Sequence, residues 1–283
     1  MAGDFRMSIT SDLWASREIL SNLTMREVRG KYKRSILGQA WSLLNPIASL
    51  AIYTVVFGFV LKATPPPGEP SGIDVFTLWL ACALLPWNFF AATMMGGMNA
   101  LLGNANLVQK VYFPRYTLVV SNMLASLVTF GFELLVLAAI AVILGSQIWI
   151  WIPLVLVFVA LLALFGLGIG LMLSIANVYF RDTAQFVGIF LQMWFYATPI
   201  VYPVTLIAAT QAEWAAKGRD FPLLWFYQLN PMERFVQIFR DLLYDNRLPP
   251  WGDMAYCVGA AAVSMALGSW VFSRYQGRIA EEL

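Results

Sequence analysis

The sequence predicts an all-α integral membrane protein with six transmembrane helices, and composition and charge spacing carry this prediction. Hydrophobic residues make up 60% of the 283 residues, charged residues only 12%, and the mean hydropathy is +0.69. Soluble domains contain about 25% charged residues. Charge-free runs long enough for the ~20 residues of a spanning helix define the spans. These runs are 35–61, 75–109, 116–132 continued after Glu133 by 134–180, 183–212 and 254–273. The third region, 116–180, is long enough for two spans and is divided by a break near 145–147, which gives six spans in total.

Lys and Arg residues are distributed unevenly along the chain. Six spans place both termini on one side of the membrane, and that side receives twelve of the eighteen Lys and Arg residues. Because positively charged loops remain inside the cell, we expect a multi-pass membrane protein with cytoplasmic termini. No apolar run precedes the basic N-terminus, so we expect no cleaved signal peptide. The net charge of +2 gives no reason to expect a nucleic-acid partner.

Residues 1–34 are predicted to form a cytoplasmic interfacial segment ahead of the transmembrane domain at 35–273. Ser11 is a suitable N-cap for an amphipathic helix on the membrane surface. The apolar side of this helix consists of Leu13, Leu20 and Leu23. A solvated helix is the alternative. Residues 31–34 are basic and would be attracted to anionic lipid headgroups.

Segment 103–115, after the second span, is too polar for lipid and too apolar for a free loop. It predicts a short helix that is pressed against a partner protein and ended by Pro114. Its inward side chains are expected to be Leu107, Val108 and Val111, and its outward ones Lys110 and Arg115. An ordinary interfacial turn is the alternative.

Glu133 is the only acidic residue in any predicted span. A carboxylate near mid-membrane costs ~2.5 kcal/mol or more, so Glu133 should face protein or a water-filled path. Asn122, Ser126 and Thr129 share its helical face. A structural hydrogen bond and a role in transport both remain open for it.

Small residues predict close helix packing in the fourth and sixth spans. They are Gly166, Gly170 and Ser174, and Ala260, Ser264 and Gly268. The two cysteines, Cys82 and Cys257, lie in apolar runs and are expected to be small buried side chains rather than a disulfide or redox pair.

The fifth span begins after the charged corner at 177–182 and is interpreted as a pore-side helix. No charge follows Asp182 until Glu213, and aromatic and polar residues alternate before Pro199 and Pro203 end the stretch. A helix that only faces lipid would not need those polar side chains. We therefore expect its cytoplasmic end to be connected to whatever drives the protein.

The outer segment at 204–252 contains a strongly amphipathic helix. Asn230, Pro231 and Glu233 occupy its N-cap, N1 and N3 positions, as in a capping box. A broad apolar stripe follows. The stripe consists of Met232, Phe235, Val236, Phe239, Leu242 and Leu243. The helix is expected to be embedded, either on the outer leaflet or as a re-entrant element, and a surface helix is the alternative.

The chain lacks the motifs of an enzyme or an autonomous pump. It contains no phosphate-binding GxxxxGK[ST] loop, no DxD pair, no HExxH and no histidine, so we expect neither a catalytic residue nor a metal site. Energy for any transport must come from another chain.

Four motifs, in order and spacing, resemble the membrane subunit of ABC-2 type exporters, in the branch that moves O-antigens, teichoic acids and other cell-envelope polysaccharides. They are RGKYKRSILGQAWSLLNP, NANLVQKVYFPR, NVYFRD with LQMWFYATPIVYP, and LNPMERF. The resemblance covers about residues 13–275. It implies a homodimer in the bacterial cytoplasmic membrane that pairs with two copies of a separate ATPase, which binds ATP and Mg²⁺, and exports a lipid-linked glycan. This chain would hold no cofactor and make no covalent bond.

The resemblance also assigns residues to roles. It implies cytoplasmic coupling helices that contact the ATPase through Asn106, Leu107, Lys110, Phe113, Pro114 and Arg115, and through Asn177, Tyr179, Arg181 and Asp182. It implies outer re-entrant helices between the fifth and sixth spans. It implies a substrate channel lined by Gln192, Trp194, Phe195, Tyr196, Thr198 and Tyr202. Residues 274–283 would be a cytoplasmic tail.

Three alternatives remain at this point. A secondary carrier or channel would use Glu133. A membrane-embedded transferase would act without an ATPase. An ABC-2 exporter of a lipid or drug would share the six-span plan.

Overall fold

The computed structural model describes residues 16–30, 37–60, 62, 65–111, 113–219 and 221–282. Every regular element in these ranges is helical, which confirms the predicted all-α class. The α-helices are α1 (Arg17–Gly30), α2 (Trp41–Tyr53), α3 (Phe76–Asn99), α4 (Ala105–Lys110), α5 (Tyr116–Ile143), α6 (Ile152–Tyr179), α7 (Thr183–Ala197), α8 (Val204–Ala216), α9 (Leu223–Gln228), α10 (Pro231–Arg240), α11 (Trp251–Tyr275) and α12 (Ile279–Glu282). π-Helical turns extend α2 through Thr54–Val60 and α10 through Asp241–Asp245.

Five helices in the described ranges are long and apolar enough to cross a membrane. They are Leu43–Val60, Phe76–Asn99, Tyr116–Ile143, Ile152–Tyr179 and Trp251–Arg278. The expected break near 145–147 is confirmed, because α5 ends at Ile143 and α6 begins at Ile152. Gly145 between them has a φ of 90°, a backbone conformation that glycine adopts without strain.

The fifth span was expected in the charge-free run 183–212, with Pro199 and Pro203 at its end; its helix does end before these prolines and is not among the five long apolar helices. α7 ends at Ala197, Thr198 is extended, and α8 begins only at Val204. The two prolines between these helices, Pro199 and Pro203, cannot donate backbone hydrogen bonds to continue α7. The 15 residues of α7 extend about 22 Å, less than the ~30 Å hydrocarbon core.

The centre of the molecule is α3, most of whose residues are buried. It packs against α5 and α6, and α11 packs against the other side of α6. Phe89 stacks on Phe130 of α5 with ring centroids 4.6 Å apart, and Phe90 stacks on Phe165 of α6 at 5.3 Å. By contrast, none of the 43–60 window is buried inside the subunit.

Small residues set the spacing between α6 and its two neighbours. Gly166 and Gly170 face α3, because a Cβ on either would lie 3.2–3.5 Å from Thr93. The contact with α11 is made instead by Gly168, where a Cβ would lie 2.4 Å from the backbone of Ser264. The helix faces with small residues thus do pack closely, as predicted. Gly168, which makes the contact with α11, was not among the predicted residues.

The amphipathic helix α10 is enclosed by protein. Met232, Phe235, Val236, Ile238 and Phe239 are all 0% exposed, and the helix contacts α3, α6 and α11. This burial excludes a helix that lies on the membrane surface. The predicted N-cap is confirmed, since the Asn230 side chain accepts a hydrogen bond from the Met232 backbone at 3.0 Å.

The N-terminal helix α1 packs against α5. Leu23 is buried and Leu20 is half-buried, as their predicted apolar side requires. Ser11, Leu13 and residues 31–34 lie outside the described residues. Arg26 donates to Asn104 Oδ1 at 2.5 Å, so α1 also contacts the segment that leads into α4.

Candidate functional site

Three segments that are far apart in sequence meet at one end of the bundle. We call this end the corner face and define it by residues 103–111, 113–115, 177–182 and 274–279. Asn177 at the end of α6 is buried, and its amide nitrogen lies 3.3 Å from the Met98 carbonyl oxygen and 3.2 Å from Asn99 Oδ1. The two predicted cytoplasmic corners are therefore joined at their base.

The short helix α4 forms the most exposed part of the corner face. Val108 is buried, Leu107 is half-buried and Lys110 is exposed, as expected, and Asn106 is exposed as well. Val111 was expected to pack inward, but it is 51% exposed. The helix ends at Lys110 rather than at Pro114, and Val111 has extended backbone angles that turn its side chain away.

Phe113, Pro114 and Arg115 connect α4 to α5. Phe113 is buried, and the Pro114 carbonyl accepts a hydrogen bond from the Thr117 hydroxyl at 2.6 Å. The Arg115 guanidinium donates to the backbone carbonyl of Gln276, just beyond α11. The expectation that Arg115 points to water was wrong, because carbonyl groups at a helix end lack helical partners and attract such donors.

The C-terminal segment completes the corner face. Tyr179 makes an edge-to-face contact with Tyr275 at 6.3 Å, and Ile279 of α12 is fully buried. Arg181 and Asp182 are exposed beyond this contact. The segment from 274 onward was predicted to be a simple tail, and sequence reasoning missed its packing against both corners.

The side chains predicted to line a channel lie in α7 and just after it, and they form an exposed group and a more buried group. Gln192 and Tyr196 are exposed on one face of the helix, one turn apart. Phe195 and Thr198 are buried, and Trp194 is half-buried against Trp87 and Phe90 of α3. The predicted channel residues that face into the subunit are therefore Trp194, Phe195 and Thr198.

Asn230 links α7 to α10. Its Oδ1 accepts a hydrogen bond from Trp194 Nε1 at 2.7 Å, and its Nδ2 donates to the Thr198 hydroxyl at 2.9 Å. The Tyr202 hydroxyl, just beyond, donates to the Tyr196 carbonyl at 2.6 Å and lies 3.4 Å from the Tyr227 hydroxyl. The end of α7 is thus fixed to the helices that follow it.

A polar cavity of about 450 Å³ lies at the end of α3 opposite the corner face. We call it the distal cavity. Its polar and charged lining residues are Glu69, Thr205, Gln228, Glu233, Arg234, Gln237, Arg240, Tyr244, Asp245, Arg247 and Asp253. The apolar part of the cavity wall is formed by Trp79, Pro66, Pro67 and Pro203. Sequence reasoning missed this site because it considered the apolar stripe and the N-cap of α10 and assigned no role to Arg234 or Arg240.

Arg240 is the most enclosed cation of the distal cavity. It is 3% exposed, donates to the carbonyl oxygens of Pro199 and Ile200 at 2.7 Å each, and lies 3.7 Å from the centre of the Trp79 ring. Burial lowers its pKa to about 9, against the effect of nearby acids. The two hydrogen bonds from Arg240 fix the turn between α7 and α8.

Two acids that line the distal cavity, Glu233 and Asp245, have raised pKa values. Burial raises the pKa of Glu233 from 4.5 to about 7, although Arg234 favours the charged form. Burial likewise raises the pKa of Asp245 to about 6. Arg234 pairs with Asp253, and Arg247 pairs with Asp241 at 2.6 Å. Glu233 was expected at a capping-box position, but it faces the distal cavity.

A second polar cavity, of about 330 Å³, contains Glu133 in its wall. Asn45 of α2 and Asn88 of α3 line it together with Ser126 and Thr129. Three residues of the predicted polar face therefore share one cavity. Asn122 does not belong to it and lies against Gly96 of α3.

Comparison with known proteins extends these observations. Residues 19–244 match the family described as ABC-2 type transporter. The chain is 29% identical to the O-antigen export system permease protein RfbA of Myxococcus xanthus, over 97% of this chain and 99% of that protein. It is 26% identical to a protein of the same name from Klebsiella pneumoniae, over 94% and 95%. It is 23% identical to the polysialic acid transport protein KpsM of Escherichia coli, over 87% and 89%.

Proposed function

The chain belongs to the ABC-2 type transporter family, and we propose that it is the membrane subunit of an ATP-driven exporter that moves a lipid-linked cell-envelope polysaccharide outward from the cytoplasm. The observation that carries this proposal is similarity over almost the whole chain to permeases named for O-antigen export. The chain itself acts without a catalytic site. A separate ATPase binds ATP and Mg²⁺ and supplies the energy.

The corner face is the proposed contact with the ATPase. Asn106, Lys110, Arg181 and Asp182 are exposed there, on the side where the positive residues concentrate. Phe113 is buried beneath them, Asn177 bonds to the end of α3, and Tyr179 contacts Tyr275 of α11. Because the base is connected, a push on α4 reaches α3, α5 and α6 together. ATP-driven closure of the partner is thereby passed to the spans.

The proposed translocation path lies beside the exposed faces of α2 and α7. None of the 43–60 window is buried within the subunit, and Gln192 and Tyr196 are exposed on α7. A second copy of the chain that faces these surfaces would enclose a channel. Tyrosine rings offer faces for sugar C–H groups, and Gln192 offers hydrogen bonds to hydroxyls. Trp194, Phe195, Thr198 and Tyr202 support this wall from behind.

The proposal includes the six-span topology with cytoplasmic termini. α7 together with residues 198–203 would provide the remaining crossing, which is the fifth in chain order. The packed helices α8 to α10 would enter the membrane from outside without crossing it. The distribution of Lys and Arg supports this orientation. The assembly would contain two copies of this chain, two of the ATPase and surrounding lipid.

A secondary carrier that works through Glu133 is the second candidate. The buried position of Glu133 in the wall of a polar cavity favours it. The two candidates differ in their energy source. A carrier would lose transport in a Glu133→Gln variant and would not need an ATPase.

The test is surface export of polysaccharide in cells that lack the chromosomal copy of this gene. The wild-type gene should restore export only when the ATPase can hydrolyse ATP, and Glu133→Gln should still restore it. Tyr196→Ala should lower export without changing protein level, whereas Phe186→Ala, another exposed aromatic on α7, serves as the matched control. Export that persists without ATP hydrolysis but fails in Glu133→Gln would replace the exporter with the carrier.

A further inference from the structure

The distal cavity has no part in the export mechanism described so far, yet it is built as a binding site. Glu233 is 5% exposed and lines the cavity. Its Oε2 lies 3.5 Å from Arg234 Nε in an ion pair but accepts no hydrogen bond from the described residues. Arg240 is 3% exposed, and its Nε donates no hydrogen bond to any described residue. Buried polar atoms are nearly always hydrogen-bonded, so these two atoms leave hydrogen-bonding capacity for a partner that enters from the cavity.

The charges of the cavity favour an uncharged ligand. Arg234 and Arg247 are each paired with an acid, so the site offers little free positive charge to an anion. The described residues contain no group of three or more acidic or cysteine side chains arranged to hold a metal ion. Amide groups of Gln228 and Gln237 and the Thr205 hydroxyl add neutral donors and acceptors.

A sugar has the matching chemistry. Each sugar hydroxyl both donates and accepts, so it can bond to a carboxyl oxygen and to a guanidinium in one site. The volume of about 450 Å³ lies within the ~300–1,000 Å³ typical of small-ligand sites. Prolines 66 and 67 and Trp79 supply apolar surface for the C–H faces of a ring.

The position of the cavity connects it with the proposed channel face. Thr205 comes three residues after Tyr202, and Tyr202 is hydrogen-bonded to the Tyr196 carbonyl. A chain that moves along the exposed face of α7 away from the corner face would therefore reach the cavity mouth last. We propose that the distal cavity binds a sugar unit of the exported polysaccharide as it leaves the membrane. This inference rests on the proposed function.

The experiment uses the complete permease–ATPase complex in lipid nanodiscs. The probe is the soluble polysaccharide released from its lipid by mild acid from the cells that carry this gene. Equilibrium dialysis of the radiolabelled probe gives the dissociation constant, and ATP-driven export by the same variants is measured in cells. Thr205→Trp narrows the mouth without touching the ion pairs, and Glu233→Gln keeps the side-chain shape but removes the carboxylate.

Matched controls lie close by. Ala208 and Glu213 are exposed on α8 and do not line the cavity, so Ala208→Trp and Glu213→Gln repeat the same changes outside it. We expect Thr205→Trp to raise the dissociation constant at least tenfold and Glu233→Gln at least threefold. Both controls should stay within twofold of wild type, and all four complexes should elute as wild type in size-exclusion chromatography.

Two results overturn the inference in distinguishable ways. If the wild-type complex exports polysaccharide but both cavity variants bind the probe as the controls do, or the wild-type complex does not bind it, the cavity is not a sugar site and the proposed function stands. If the wild type neither exports nor binds polysaccharide, the proposed function itself is wrong.

Discussion

Replacing Arg240 with alanine should destabilise the junction between α10 and the turn that follows α7. The guanidinium makes two 2.7 Å hydrogen bonds, to the Pro199 and Ile200 carbonyls, and lies 3.7 Å from the centre of the Trp79 ring. Hydrogen bonds from a charged donor contribute ~1.5–3 kcal/mol each and a desolvated cation–π contact ~2 kcal/mol. Desolvation of the guanidinium opposes these gains.

The net loss of stability depends on the groups that remain after Arg240 is replaced. Two carbonyl groups stay in a buried turn without their donor, and each buried polar group left unsatisfied costs ~1–3 kcal/mol. At ~2–4 °C per kcal/mol, a loss of about 3 kcal/mol lowers the melting temperature by about 6–12 °C. The assay is size-exclusion chromatography of the detergent-solubilised protein after heating at a series of temperatures.

Two further variants make the measurement specific. Arg240→Lys keeps the charge but cannot bond both carbonyls in the geometry of the guanidinium fork, so it should lose about half as much. Arg219→Ala removes an exposed arginine and should change little. A melting temperature of Arg240→Ala within 2 °C of Arg219→Ala would refute the reasoning.

The remaining predictions concern coupling, pH and packing. Lys110→Glu should reduce recovery of the ATPase at least tenfold in co-purification with an unchanged melting temperature, because Lys110 is exposed on the corner face. Melting temperature should fall as pH rises from about 4.5 to about 7, since burial raises the pKa of Glu233 to about 7 and the folded chain holds a proton that the unfolded chain releases. Glu233→Gln should flatten this slope. Gly168→Ala should prevent stable folding, because its Cβ would lie 2.4 Å from the Ser264 backbone, whereas Gly259→Ala on the open side of α11 should be tolerated.

Each of these predictions has an outcome that contradicts it. Normal ATPase recovery with Lys110→Glu would remove α4 from the interface. A pH slope that Glu233→Gln leaves unchanged would assign the titration to other groups, and Glu213→Gln serves as the matched control for the loss of a carboxylate. Equal stability of the Gly168→Ala and Gly259→Ala proteins would show that α6 and α11 are not in close contact at that point.

The general architecture was predictable because span length depends on a simple physical requirement. A helix needs about 20 apolar residues to cross a bilayer, and five of the expected runs meet that condition as helices. The run at 183–212 contains two shorter helices instead, so its crossing is not among these five. Pro199 and Pro203, which were expected to end the crossing, lie between the two helices.

Local directions at the corner face were less predictable. Val111 was assigned inward on the assumption that the helix continues to Pro114, but α4 ends at Lys110 and the helical phase no longer applies. Arg115 was assigned to water because its partner, the Gln276 carbonyl, is 161 positions away. A contact between residues so far apart in the chain cannot be recognised from a local sequence pattern.

The distal cavity was missed for a different reason. Glu233 and Arg240 lie seven residues apart on one helical face, and no role was assigned to their charges beyond the cap position of Glu233. The broad apolar stripe, which includes Phe239 and Leu242, did predict an embedded helix, and both residues are 0% exposed. A helix that is apolar over most of its circumference is buried, and its charges then need internal partners.

The central claim is tested most directly by purification of this chain from its native membrane in mild detergent, followed by intact-mass measurement of the complex. The account predicts a complex with two copies of this chain and two copies of an ATPase, and loss of the ATPase when Lys110 is changed to glutamate. Recovery of the chain without an ATPase, in membranes where polysaccharide export is active, would contradict the account.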